Sequence, residues 1–358
     1  MRKLAHSILV FLSMLLAIAL LVSYLSVYVD PNTFWIVGIV GLAYPILLLM
    51  NIASLIYWIL RWKWEFIIPL IAILLGVTHF SSFFQFPFGK NSSVNESDIK
   101  VLTYNVNLFK LYFWAEKNPV QNEIFRFLKD EKPDIVCLQE FYVDSKKFSE
   151  QQARMKLNYN AHIGYIVKKK GSGYGLATFS RYPIADSGEI KFENSANSCI
   201  YTDLVIGSDT VRVYNNHLQS LRLKERNISF LLNQNFRKDA QKMDEIKDIS
   251  FRYRDALIKR ARQVDMVTRH ILKSPYPVIV CGDFNDSPIS YNYRKMRENL
   301  EDSFIEMGAG IGYTYRGIIP TFRIDYIFHS SVFNATSYSS THVDFSDHYP
   351  VITTLRVK

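Results

Sequence analysis

The chain has 358 residues, 49% of them hydrophobic, with 42 Lys and Arg against 33 Asp and Glu for a formal charge of +9. Residues 1–98 hold only Arg2, Lys3, Arg61, Lys63 and Lys90 as cations and Asp30, Glu65, Glu96 and Asp98 as anions, which leaves 37 against 29, or +8, beyond Asp98. Cys137, Cys199 and Cys281 form no CxxC pair and no cluster with histidine at ligand spacing, so the sequence argues against a disulfide framework and a structural zinc site.

The first third reads as membrane. Ile8 to Val29 is an uncharged run of about 22 residues, enough to cross a hydrocarbon core as a helix. It is longer than a signal-peptide core, and no small-x-small cleavage site precedes Asp30. Phe34 to Leu60 and Phe66 to about Phe84 continue the apolar pattern on either side of Arg61-Trp62-Lys63-Trp64-Glu65. Three spanning helices are expected over residues 1–88, followed by a polar linker at 89–98 and a separate domain at 99–358. Arg2, Lys3, Arg61 and Lys63 favour the cytoplasmic side, so three crossings deliver the C-terminal domain to the extracytoplasmic face, the periplasm if this is the inner membrane of a Gram-negative bacterium. Trp35, Trp58, Trp62 and Trp64 lie near the helix ends, where interfacial aromatics belong.

From Ile99 the pattern changes to short β-branched and aromatic runs bounded by Gly, Pro, Asn and Asp. Strands are expected at 99–106, 134–139, 174–179, 200–206, 211–215, 278–281, 322–328 and 350–357, with a helix at 120–131, a combination that suggests a layered α/β sandwich. Leu221 to Asp255 is highly charged with mixed signs and reads more readily as a solvated insert than as a helical excursion over an active face. A helix pattern follows from Asp255 to Leu272. The basic balance of the domain suits a phosphate-bearing partner and equally serves solubility.

Polar groups end the apolar strands in six places: Tyr104-Asn105-Val106-Asn107, Leu138-Gln139-Glu140, Tyr214-Asn215-Asn216-His217-Leu218, Gly282-Asp283-Phe284-Asn285-Asp286, Arg323-Ile324-Asp325-Tyr326 and Ser346-Asp347-His348-Tyr349-Pro350. Alone, a strand ending in Gln-Glu is an ordinary surface edge and an Asp-His pair an ordinary local hydrogen bond. In this order, with GDFN and SDH, they resemble the endonuclease/exonuclease/phosphatase family, the group of pancreatic-type deoxyribonuclease, apurinic endonucleases, neutral sphingomyelinases and inositol polyphosphate 5-phosphatases.

The resemblance covers 99–358 and implies a DNase I-like, four-layered α/β sandwich preceded by an all-α transmembrane segment. It also implies hydrolysis of a phosphodiester or phosphomonoester with Mg²⁺ or Mn²⁺. By that likeness Glu140 is the leading metal ligand, with Asn107 and Asp347 near the ion and Asn105 supporting both the ion and the central aspartate. Asp283 orients and deprotonates water, Asn285 donates to the phosphorane-like oxygens, and His348, oriented by Asp325, stabilises the phosphate. His217 matches a second histidine that contacts the phosphate or protonates the leaving group, and Asn215 assists. Asp286 reads as a turn former before Ser287-Pro288. His217 speaks against the apurinic-endonuclease branch, and membrane attachment is compatible with a lipid head group or an extracytoplasmic nucleic acid as substrate, a lipid-directed, sphingomyelinase-like phosphodiesterase being the alternative to a nuclease. Tyr112, Phe113 and Trp114 could stack a base, dip into lipid or, most simply, pack. No obligate protein partner is expected. A catalytically silent, membrane-anchored binding module is the alternative from another class.

Overall fold

The computed structural model describes residues 2–87, 93–110, 120–232, 239–317 and 323–358. The Tyr112, Phe113 and Trp114 run and parts of the 89–98 linker, of the 221–255 insert and of the expected 322–328 strand lie outside the described residues.

Lys3–Leu25 is one unbroken helix of 23 residues, long and apolar enough to cross a membrane. Ile36–Leu42 with Tyr44–Leu60, and Trp64–Leu75 with Val77–Phe83, are two pairs each bent by 59°, and each makes a further candidate span if the pair is taken as one. Pro45 lacks the N–H that would continue the ladder at the first bend, and Gly76 sits at the second. Asn51, an interruption in the apolar run, is buried and donates to Leu16 O and Leu47 O, so its amide ties two helices together. Trp58 departs from the expected interfacial role: it is 1% exposed and donates from Nε1 to Ser13 Oγ at 2.8 Å. At one end of the bundle His6 meets Glu65 at 2.8 Å. The opposite end touches the rest of the chain, where Ser26 Oγ donates to Ile289 O at 3.0 Å and Arg323 Nη2 to Ser82 O at 3.0 Å.

Twelve strands follow among the described residues: β1 Ile99–Asn105, β2 Ile135–Asp144, β3 Asn160–Lys169, β4 Ser172–Ser180, β5 Ile184–Lys191, β6 Ser198–Ile206, β7 Asp209–His217, β8 Val278–Asp283, β9 Glu301–Asp302, β10 Asp325–His329, β11 Phe333–Ser340 and β12 Val351–Val357. They form two six-stranded mixed sheets, in the orders β11-β12-β1-β2-β4-β3 and β5-β6-β7-β8-β10-β9. The parallel pairs β1·β2 and β7·β8 occupy the sheet centres. Val101, Ile135, Cys137, Val213, Ile279, Cys281 and Ile327 pack between the sheets. Leu102 and Tyr104 face helices Val120–Glu131 and Glu150–Leu157 on one side, while Val280 and Phe328 face helices Asp239–Ile271 and Tyr291–Arg297 on the other. The result is a DNase I-like helix-sheet-sheet-helix sandwich.

Strand alternation explains why polar residues gather at one edge of this sandwich. Side chains two apart share a face, so the inner-face series Val101, Thr103, Asn105 on β1 and Ile279, Cys281, Asp283 on β8 both end in a polar group. The series Val211, Val213, Asn215, His217 on β7 does the same, and Asp325 opens β10 opposite Asp283. The three cysteines are buried and free, as small core hydrophobes.

The 221–255 segment is not a solvated insert. Its described residues form helix Glu225–Leu232 and the first half of the 33-residue helix Asp239–Ile271, and Leu221, Arg222, Leu223, Ile228 and Tyr253 line the cavity that holds the site. Charge alternation misled because the charges occupy the outer side and tie the insert together: Arg226 meets Asp248, and Arg252 donates to Asp248 and to Arg222 O.

Candidate active site

A cavity of about 310 Å³ opens at the polar edge of the sandwich, and Asn105, Glu140, His217, Asp283, Asn285, Asp347 and His348 all line it. Its centre is Asp283 Oδ2. This atom accepts from Asn105 Nδ2 at 3.0 Å and Asn285 Nδ2 at 3.1 Å, while Asn285 N donates to Oδ1 at 2.8 Å. His217 Nε2 and His348 Nε2 stand 3.7 and 3.8 Å from the same oxygen, and His217 Nε2 lies 3.7 Å from Glu140 Oε1. His348 Nδ1 is 2.9 Å from Asp325 Oδ2.

Local backbone geometry aims these groups. By simple alternation Glu140 would follow Gln139 onto the outer face of β2. A break in the β2·β4 register between Leu138 and Phe141, with Glu140 at φ 50°, turns its carboxylate into the cavity instead. Asn285 is likewise left-handed at φ 52°, and Asn107 to Lys110 are four consecutive residues at positive φ. Such positions in non-glycine residues cost about 1–3 kcal/mol each and persist where the surroundings hold them. Gly282 has φ 137°, and a Cβ there would lie 2.0 Å from Asn216 O, so the close β7·β8 approach that places Asp283 beside His217 requires glycine.

Burial sets the charge states. It raises the Asp283 carboxyl above the usual range, an effect that His348 partly offsets and Asp325 reinforces. Burial raises Glu140 too, opposed by His348 and reinforced by Asp347. On His348 burial works downward, but Asp325 and Asp283 outweigh it and lift the imidazole to about 10. Burial lowers His217 and so favours its neutral form.

Three expected residues lie outside the cavity lining: Asp325, which reaches it only through His348, Asn107 and Asn215. Asn107 donates from Nδ2 to Asp347 Oδ1 at 2.9 Å and so orients that carboxylate. Asn215 is wholly buried one inner-face step below His217; it accepts from Gln139 Nε2 at 2.8 Å and donates to Leu138 O and Ala177 O. It braces the two sheets under the site. Asp286 is more than a turn former: buried, it meets Arg260 Nε at 3.3 Å and accepts from Asn292 Nδ2 at 2.6 Å. Tyr315, Arg222 and Arg260 also line the cavity without having been found in the sequence. Tyr315 stacks edge-on to His348, with ring centroids 5.1 Å apart. An Arg-rich insert was the one available signal for the arginines, and nothing around Tyr315 marks it.

The donor set fits a hard divalent cation. Four carboxylates, Glu140, Asp283, Asp325 and Asp347, converge within or against one cavity, and both His217 ring nitrogens and Asp325 Oδ1 are buried without a hydrogen-bond partner. Asp283, Asp325 and His348 also lie within ligand distance of one another. In that trio, however, His348 Nδ1 is already engaged with Asp325, which makes it an oriented imidazole between two acids. Glu140 and Asp347, whose Oδ1 already accepts from Asn107 and Ser346, line the cavity with carboxylate oxygens that could hold such a cation.

A DNase I-like sandwich with acids, amides and two imidazoles around one edge cavity defines a phosphoester hydrolase scaffold. The chain belongs to the endonuclease/exonuclease/phosphatase family, whose sequence profile matches residues 102–348. A second profile, for a domain of unknown function, matches residues 6–83. No curated protein matches the chain. Solved structures share the fold at low identity. An endonuclease/exonuclease/phosphatase from Bacteroides vulgatus is 18% identical, with TM-score 0.54, over 73% of this chain and 99% of that one. The human Nocturnin catalytic domain with bound sulfate anion is 19% identical, with TM-score 0.51, over 73% and 94%. D. rerio TDP2 complexed with a single-strand DNA product is 17% identical, with TM-score 0.51, over 73% and 100%.

Proposed function

We propose that the domain hydrolyses a phosphoester with a divalent cation, with Asp283 as the base that activates water. The observation that carries this reading is the convergence on Asp283 Oδ2 of two imidazoles, at 3.7 and 3.8 Å, and two amides. A phosphoester resists attack because it is anionic and its alkoxide leaves poorly, so a site must neutralise charge and position water. Mg²⁺ or Mn²⁺, held by Glu140 and by Asp347 with its Asn107 partner, would neutralise the phosphate and draw electron density from phosphorus. Asp283 accepts the water proton as the new O–P bond forms. The protonated His348, fixed by Asp325, donates to a phosphate oxygen, and Asn285 adds an amide without adding negative charge. The P–O ester bond breaks and the departing oxygen takes a proton from solvent, with neutral His217 in the cavity wall as a hydrogen-bonding partner.

We also place the domain on the extracytoplasmic face of a bacterial inner membrane, reached by three crossings. The support is the clustering of Arg61 and Lys63 near the bundle end where His6 meets Glu65, away from the end that touches the catalytic domain. The partners in this reading are a phosphate-ester substrate and the surrounding lipid.

Full-length protein in detergent should cleave bis-(p-nitrophenyl) phosphate with Mg²⁺ and lose activity to a chelator. Glu140→Ala and Asp283→Ala should each lower kcat by about 10²-fold or more. A wild type no more active than these variants would instead favour a silent binding module.

A further inference from the structure

The catalytic cavity has an apolar side that the chemistry of phosphate does not require. Leu42, Leu221, Leu223, Ile228 and Tyr253 line it beside the acids. Leu42 belongs to helix Ile36–Leu42, half of a candidate membrane span, so one of the apolar anchor helices forms part of the cavity wall. The contact is close because Gly41 lets it be: a Cβ at Gly41 would lie 2.3 Å from Ser26 Oγ and 3.0 Å from Ile289 O. Ile289, four residues past Asn285, packs into the hydrophobic cluster of the bundle.

The insert helix Asp239–Ile271 adds an independent observation. Its later part rests on the same end of the bundle. Tyr253 donates to Gly38 O at 3.4 Å, Arg254 lies over Trp35 at 5.8 Å, Arg262 donates to Asn32 Oδ1 at 2.9 Å, and Leu257 abuts Gly38. At about 100° per residue, the side of this helix that carries Arg254 and Leu257 also carries Met243, Ile246 and Phe251 earlier on. Those three are 53%, 48% and 64% exposed. The helix therefore continues past the bundle with these exposed apolar side chains, and Lys247 among them, aimed the same way, at the level where an apolar bundle meets a basic domain. This is the pattern of an element lying on a bilayer surface.

We propose that the substrate is a phosphoester borne by a membrane lipid, which rests on the hydrolase reading above. The phosphate sits among Glu140, Asp283 and His348, and the first carbons of the apolar part lie against Leu42, Leu223 and Ile228. The insert helix, seated on the bilayer through Met243, Ile246 and Phe251, holds the cavity mouth at the membrane surface. Water adds to phosphorus, the ester P–O bond breaks, and the released alcohol leaves with a proton while the phosphate stays on the other fragment.

The test uses the full chain in vesicles of phosphatidylethanolamine and phosphatidylglycerol with Mg²⁺. Release of phosphorylated head group or of lipid-bound phosphate is compared with cleavage of bis-(p-nitrophenyl) phosphate and of a single-stranded oligonucleotide. The expected result is Asp283-dependent lipid hydrolysis, with Leu42→Asp and Leu223→Asp each lowering the ratio of lipid to bis-(p-nitrophenyl) phosphate rates by about tenfold or more. A diazirine-bearing phospholipid photolysed with the wild type should label Leu42 and the Leu221–Ile228 segment, a readout that needs no variant to fold. Asp283-dependent cleavage of the diester or oligonucleotide without lipid hydrolysis, or labelling confined to the outer faces of the bundle, overturns the lipid assignment and leaves the hydrolase reading standing. Inactivity on every substrate overturns both.

Discussion

Asp325 and His348 form the part of the site whose geometry makes the sharpest claim about a single residue. Asp325 is wholly buried, holds His348 Nδ1 at 2.9 Å, and keeps its second oxygen without a hydrogen-bond partner. An amide at 325 can present an N–H to Nδ1 and so favour the wrong tautomer, and it no longer stabilises the imidazolium. Asp325→Asn should lower kcat on bis-(p-nitrophenyl) phosphate by about 10²-fold or more with little change in KM, while its thermal midpoint stays at or above the wild-type value. Because the variant also removes a buried charge, a matching fall in thermal midpoint would mean that the pair is structural. The pH profile offers a second check at the same scale. Asp283 must be ionised to accept a proton, and burial raises its carboxyl. Activity should therefore fall as pH drops through a limb that lies above the usual carboxylate range, and an acid limb at the ordinary aspartate value would show that Asp283 is not the base.

The insert is held over the site by a charge that depends on one partner. Arg260, 1% exposed, meets Asp286 and donates from Nη1 to Gln219 O at 3.0 Å, which joins helix Asp239–Ile271 to the loops after β7 and β8. Asp286→Ala leaves a buried guanidinium without its counter-charge, a loss of about 3–5 kcal/mol. For a chain of this size that lowers the thermal midpoint by roughly 6–15 °C. Adding Arg260→Met should recover at least half of the loss, since an apolar side chain of similar length needs no partner; no recovery would trace the loss to Asn292 and the turn instead. This scale also shows where the sequence was legible. Strands β1, β7, β8, β10 and β12 stood out because apolar runs end abruptly in polar groups, and helix Val120–Glu131 because its period is clear. Strands β3, β5, β9 and β11 were missed. In β5, Ile184 to Lys191, most residues are polar and partly exposed, so neither alternation nor hydrophobicity marks it. The site followed the same logic. Residues at strand ends were readable, whereas Asn215 was misjudged because one inner-face step separates a cavity position from the buried brace beneath it. The turn reading of Asp286 was incomplete because its partner Arg260 lies 26 residues earlier on the helix expected at 255–272, a pairing that no local pattern marks.

At the scale of the whole molecule the question is which side of a membrane the catalytic cavity faces. At a rise of 1.5 Å per residue, Lys3–Leu25 runs about 35 Å, while the 59° bends leave Ile36–Leu42 with Tyr44–Leu60 about 32 Å and Trp64–Leu75 with Val77–Phe83 about 25 Å from end to end, lengths comparable to a hydrocarbon thickness. If each bent pair crosses, the His6–Glu65 end and the Ser26, Gly38 and Ser82 end, opposite ends of the bundle, lie on opposite surfaces. The cations Arg61 and Lys63 mark the first end, and the catalytic domain caps the second. Alkaline phosphatase fused after Lys358 should therefore be active in a bacterial host, and a green fluorescent protein fused at the same place should be dark. The opposite pair of signals would mean that the bundle sits the other way up, with Arg2, Lys3, Arg61 and Lys63 outside. Because the docked end would then lie in the cytoplasm, the four cations would no longer account for orientation, although the cavity would still meet the membrane through Leu42.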